Sequence, residues 1–159
     1  MAQQEINYWL MKSEPKVYSI QQLKEDSKTL WDGIRNYQAR NFMRSMEVGD
    51  QAFFYHSNCK PPGIVGMMEV IQTSLIDPTQ FDSNSKYYDP KSSSIDPRWD
   101  CVELKYIGVF KKSLSLDELK RFYTPEELQV VRKGNRLSIM PVSASSAKDL
   151  LNKLGHPIL

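Results

Sequence analysis

Three short stretches concentrate the side chains that could do chemistry. Lys12, Ser13 and Glu14 follow an apolar run, Trp31, Asp32, Gly33, Ile34, Arg35 and Asn36 precede a helical pattern, and Tyr55, His56, Ser57 and Asn58 close an aromatic run. Brought together, they would form a concave pocket with an aromatic wall, hydrogen-bonding groups of both senses and cations at its rim. Such an inventory suits an extruded nucleobase: a π face for stacking, Ser, Asn and Glu for its Watson–Crick edge, and Lys or Arg for the attached phosphates. Stacking a base on an aromatic ring is worth about 1–3 kcal/mol, so stacking with hydrogen bonds can offset the cost of extrusion.

Each of these residues also has a framework reading. Trp31 suits a core as well as a base platform, Arg40 and Arg44 can solvate a helix face or complement its C-terminal dipole, and Lys12 and Glu14 can form a surface pair. Catalytic readings are weaker. A nucleophile needs a base, and neighbours on a strand such as His56 and Ser57 point to opposite faces. Cys59 carries no mark of activation, and the other histidine, His156, sits near the C-terminus. Glu14, Asp32 and Glu69 suit acid–base work or structural pairing equally. The seven glycines are scattered and form no phosphate-binding loop. Cys59 and Cys101 lack metal-ligand spacing, so neither a metal nor a cofactor is expected.

The elements that must position these groups belong to a chain of 159 residues, 40% hydrophobic and 25% charged. That composition excludes a disordered chain, a disulfide scaffold and a fibrous repeat, and fits one domain spanning residues 1–159. Apolar stretches fall far short of the roughly 20 residues that cross a bilayer, and no secretory leader is visible. No membrane partner is expected. Net charge is only +2, but residues 61–100 carry three basic and six acidic groups, whereas residues 101–159 carry ten and six. Such polarity suits a phosphate-binding face or an ordinary solvated surface.

Residues 6–11 read as a buried strand with Tyr8 and Trp9 on opposite faces, ended by Pro15. Ser19 caps a short helix, with Gln22 reaching back and Tyr18 stapling against Leu23. Asn36 caps a second, in which Ala39, Phe42, Met43 and Met46 share a face and Tyr37, Arg40 and Arg44 the other. Strands are predicted over 51–56, 64–71, 99–110 and 136–142. Ser115 with Glu118, and Thr124-Pro125-Glu126-Glu127, are two further helix starts, and a closing helix buries Ala147, Leu150, Leu151 and Leu154. Residues 76–98, dense in Asp-Pro and Ser, read as a long loop packed through Tyr87 and Tyr88. Irregularly mixed strands and short helices point to an α+β fold with a curved sheet or small barrel.

The strings YWLMKSEP, WDGIRNYQARNFMR, GDQAFFYHS, PPGIVGMMEV, YYDPKSSSIDPRW and RLSIMPV occur in this order. Together they resemble the EVE domain family over essentially the whole chain. The resemblance implies a PUA-like fold, a small curved β-barrel with flanking short helices, related to YTH and ASCH modules. It implies a non-catalytic reader of a modified nucleobase, with modified cytosine in DNA the favoured ligand. An RNA-binding module of PUA or YTH type is the first alternative, and a small hydrolase acting on modified nucleotides the second. Matched to the family motifs, Lys12, Ser13, Glu14, Trp31, Arg35, Asn36, Tyr55, His56 and Ser57 are expected to line the pocket. Arg40, Arg44, Arg98 and Trp99 are expected at its rim or on phosphate. The stretch before the first motif carries no long basic tail, so a cytoplasmic, bacterial-type protein is expected, against a nuclear location for eukaryotic relatives; a monomer is expected.

Overall fold

The computed structural model describes residues 5–159. Six strands form one mixed sheet: β1 (Tyr8–Ser13), β2 (Lys28–Leu30), β3 (Gln51–His56), β4 (Gly63–Ile76), β5 (Asp100–Ser115) and β6 (Ile139–Val142). Their order is β2-β5-β4-β3-β1-β6. β1 and β3 run parallel, and the other neighbours are antiparallel. A parallel pair needs a crossover, which here holds α1 (Ile20–Asp26), β2 and α2 (Tyr37–Arg44). Two more helices, α3 (Leu116–Phe122) and α4 (Ala144–Leu154), complete the α+β fold. Among the described residues no helix is long and apolar enough to cross a membrane.

At the centre of the sheet both faces are buried, which is why β3 reads as the nearly unbroken apolar run Ala52-Phe53-Phe54-Tyr55. Trp9, Met11, Ala52 and Phe54 pack under α1 and α2 with Ile20, Leu23, Ala39 and Met43. Leu10, Phe53 and Tyr55 face the other cluster, closed by Leu119 of α3 and Ala147, Leu150 and Leu154 of α4. Tyr8 packs on this second cluster, so Tyr8 and Trp9 lie on opposite faces.

The strand pairings do not close into the expected barrel, because β2 and β6 are the two ends of the order and do not pair with each other. α2 contacts both β5 and β6.

Local chemistry accounts for most helix starts. The Ser19 hydroxyl accepts from the Gln22 amide at 3.1 Å and Asn36 Oδ1 accepts from the Ala39 amide at 2.9 Å. Ser115 and Glu118 form a complete capping box. Gln22 does not reach back; its side chain donates to Asp26 at 3.0 Å. The helix expected after Thr124 is a single turn. Its reciprocal Thr124–Glu127 hydrogen bonds form, yet Leu128 turns extended, at φ −150°, because Leu128, Val130 and Val131 enter the core. β6 is shorter than the predicted 136–142, since Asn135 holds a turn there by accepting from the Leu137 amide and donating to the Gln129 carbonyl. β4 and β5 are longer than predicted: β4 runs on to Ile76, paired with Asp100, and β5 runs on to Ser115, paired with Gly63.

The segment between β4 and β5 is packed. It opens with a 3-10 turn at Pro78–Phe81 and is tied at both ends by the buried Gln80 side chain. Gln80 Nε2 donates to the carbonyls of Asp77 and Trp99 at 2.7 Å, and its Oε1 accepts from the Trp99 amide at 3.1 Å.

Candidate functional site

Parallel pairing of β1 and β3 makes the two chains leave the sheet side by side. Ser13 is in register with His56, and the Ser57 amide donates to the Ser13 carbonyl at 3.0 Å. Glu14 and Asn58 therefore meet, with Asn58 Nδ2 donating to Glu14 Oε1 at 2.7 Å. Trp31 follows β2 and is pinned to β5 by its amide, which donates to the Val102 carbonyl at 2.8 Å. Its indole is 7% exposed and meets Phe54 edge-on, with centroids 5.5 Å apart.

These three stretches surround one open cavity of about 950 Å³. The volume lies in the range of pockets that hold a nucleotide-sized ligand. Lys12, Ser13, Glu14, Trp31, Asp32 and Ser57 line it; the long loop adds Lys86 and Tyr87, and the turn before β6 adds Arg136 and Ser138. Gly33 is the close-approach point. It adopts φ +80°, and a Cβ there would lie 2.7 Å from the Tyr87 ring, so the absence of a side chain lets Tyr87 settle against this wall.

The wall carries both charges. Burial lowers the Lys12 ammonium from its ordinary value, and the Lys12 Nζ lies 5.7 Å from the Tyr55 ring centroid. The Asp32 carboxyl is raised, first by the surrounding protein and then by the charge of Asp77, with Arg35 opposing. Ser13 Oγ donates to the Tyr18 carbonyl at 2.6 Å. Aromatic surface, donors, acceptors and cations thus share one concavity, which suits a flat polar ring bearing an anionic attachment. Among the described residues no three His, Cys, Asp or Glu side chains are grouped to hold a metal.

Four residues expected in the pocket lie outside its wall. Arg35 donates to the Tyr87 carbonyl, the Ile34 carbonyl, Thr79 Oγ1 and Asp77 Oδ2, all within 3.0 Å, and so rivets the long loop to the start of α2. Asn36 is occupied as the α2 cap, and Tyr55 is buried in the cluster beneath α3 and α4. His56 Nε2 accepts from the Ile20 amide at 3.1 Å, which holds the start of α1, and burial lowers its pKa.

Three of the expected rim residues are engaged elsewhere. Arg40 donates to the Arg98 carbonyl at 2.8 Å and lies 4.6 Å from the Tyr37 ring centroid. Arg44 pairs with Asp100. Trp99 is buried, stacks on Tyr37 at 4.8 Å and donates to Asp89 at 2.7 Å. None of the four, Arg98 included, lines the cavity. Lys86, Arg136 and Ser138 were not singled out in the sequence. The one signal toward Lys86 and Tyr87 was the excess length of a loop that nonetheless carries adjacent tyrosines.

Residues 7–153 match the EVE domain family. Rat thymocyte nuclear protein 1 is 43% identical over 155 residues, which cover 86% of this chain and 69% of that protein. A solved structure of a Pseudomonas syringae protein is 45% identical, with a TM-score of 0.88 over 92% of this chain and 98% of that one. The crystal structure of human THYN1 protein in complex with DNA containing 5-methylcytosine superposes with a TM-score of 0.87 at 39% identity, covering 96% of this chain and 99% of that one.

Proposed function

This chain belongs to the EVE domain family, and from that premise we propose that it is a non-catalytic reader that draws a modified base, modified cytosine in DNA, out of the strand into the cavity beside Trp31. The observation that carries this reading is the convergence of residues 12–14, 31–34 and 57–58 on one solvent-open concavity with an indole in its wall. The human relative bound to 5-methylcytosine DNA supports the choice of ligand.

In this reading the part of the largely buried Trp31 that reaches the cavity contacts the base ring, while Lys12, Ser13, Glu14 and Ser57 meet its polar edge. Lys86 and Arg136 take the flanking phosphates. They replace Arg40 and Arg44 in that role because the guanidiniums of those two are held by a carbonyl and a carboxylate of the protein itself. Stacking contributes about 1–3 kcal/mol per base, and hydrogen bonds and phosphate contacts add to it against the cost of unpairing. A hydrolytic role for His56 is disfavoured because its Nε2 already accepts a backbone hydrogen bond.

The test is an anisotropy titration of the protein against matched duplexes carrying a single cytosine or 5-methylcytosine, with the corresponding RNA in parallel. Tighter binding to the methylated DNA is expected. Equal affinity for both DNA duplexes, or preference for RNA, overturns the proposal.

A further inference from the structure

Asp32 occupies an unusual place in the cavity. Its two neighbours are fixed from opposite sides: the Trp31 amide donates to the Val102 carbonyl at 2.8 Å, and the Gly33 amide donates to Asp77 Oδ2 at 2.8 Å. The backbone between them is therefore held in place. The Asp32 side chain is exposed and makes no hydrogen bond or ion pair to another residue among the described residues, although Arg35 lies close by with its donors directed to other acceptors. Glu14, the other carboxylate in the wall, accepts from Asn58. A positioned carboxylate with free acceptor capacity thus stands one residue from the indole. The surrounding protein, and after it the charge of the buried Asp77, raises its pKa. A solvent-open carboxylate on a backbone pinned at both sides, in the wall of the cavity, is placed to accept a hydrogen bond from an occupant.

We propose that the Asp32 carboxylate tells cytosine-type from thymine-type bases in the cavity, by accepting a hydrogen bond from the exocyclic amino group of the base. This rests on the base-reader reading above. At ring position 4 cytosine presents an N–H donor and thymine a carbonyl acceptor, so a carboxylate there attracts one and repels the other. The contact is blind to position 5, where a methyl group sits. Asp32 therefore sets base identity, and recognition of the modification belongs to other parts of the wall.

The experiment compares the wild-type protein with Asp32→Asn and Asp32→Ser on oligonucleotides carrying 5-methylcytosine, cytosine, thymine or no base at one position. That position lies opposite an abasic site, so that differences in base pairing do not enter. Wild-type protein is expected to favour 5-methylcytosine over thymine by about tenfold. Both variants are expected to lose most of that ratio while keeping the wild-type ratio of 5-methylcytosine to cytosine and the wild-type melting temperature. A 5-methylcytosine to thymine ratio unchanged in the folded variants overturns the assignment of Asp32. So does a wild-type protein that prefers 5-methylcytosine to cytosine but accepts thymine equally, an outcome that leaves the reader proposal standing. Wild-type binding no tighter to 5-methylcytosine than to the strand without a base overturns both. A melting temperature that falls sharply in both variants, with unchanged ratios, makes Asp32 a structural residue.

Discussion

The Arg35 guanidinium meets the fully buried Asp77 carboxylate at 3.0 Å and, with its other donors, holds the carbonyl of Tyr87. One side chain thereby fastens the start of α2 to the loop that supplies a wall of the cavity. Removing it leaves a buried carboxylate without its charge partner, so Arg35→Ala is expected to lower stability by about 3 kcal/mol. Arg35→Lys is expected to rescue little, because a single ammonium cannot reproduce the fork of donors. Urea unfolding of the two variants measures this, and near wild-type stability of Arg35→Ala contradicts it.

Gly33 and Tyr87 are in contact so close that no Cβ fits between them. Gly33→Ala adds both this clash and the strain of a positive φ, with an expected loss of about 1–3 kcal/mol. Tyr87→Ala opens the space without the strain. Gly33→Ala made in the Tyr87→Ala background is therefore expected to cost less than in the wild type, and additivity of the two changes contradicts the contact.

His56 predicts a pH dependence of stability. Burial lowers its pKa below the ordinary 6.5, so on acidification the unfolded chain takes up the proton first. The stabilisation is fully present above pH 6.5 and declines as pH falls from there toward the lowered folded value. The melting temperature of the wild type is expected to drop over that interval. His56→Gln, which offers a neutral acceptor to the Ile20 amide, is expected to show a flatter profile. Parallel profiles for the two proteins contradict this account of His56.

Lys86 and Arg136 line the cavity and form no ion pair among the described residues. As phosphate contacts they are expected to act without regard to base. Lys86→Ala and Arg136→Ala should weaken binding of modified and unmodified DNA by the same factor, and each should reduce the slope of log affinity against log salt by about one. A loss confined to the modified strand places the residue against the base instead.

Features set by neighbours in sequence were legible from the sequence alone. The caps at Ser19, Asn36 and Ser115 are determined by side chain and amide three residues apart, and the doubly buried β3 is visible as an apolar run. Thr124 shows the limit: its capping hydrogen bonds form, but burial of Leu128 ends the helix after one turn. The lining of the candidate cavity was legible to the same degree. Residues 12–14 and 57 stand out because predicted strand ends carry polar groups next to aromatics, and residue 31 because it leads into a capped helix. Arg35, Asn36 and His56 have the residue types of a ligand contact, and the partners that make them framework include Asp77 and Tyr87, 42 and 52 residues from Arg35. Arg136 reaches the cavity only through tertiary packing of a turn, which leaves no local pattern, and the length of the loop pointed to Lys86 no more closely than to its neighbours.

The central claim is that the cavity beside Trp31 receives the base. Amide and indole chemical shifts of isotope-labelled protein, followed during titration with 5-methylcytosine duplex, test it most directly. The account predicts that the largest changes fall on residues 12–14, 31–33 and 57–58 and on the Trp31 indole, and are smaller with unmodified duplex. Changes that cluster around the shallow hollow between Tyr123 and Asp149, or that spare the Trp31 indole at saturation, would contradict it.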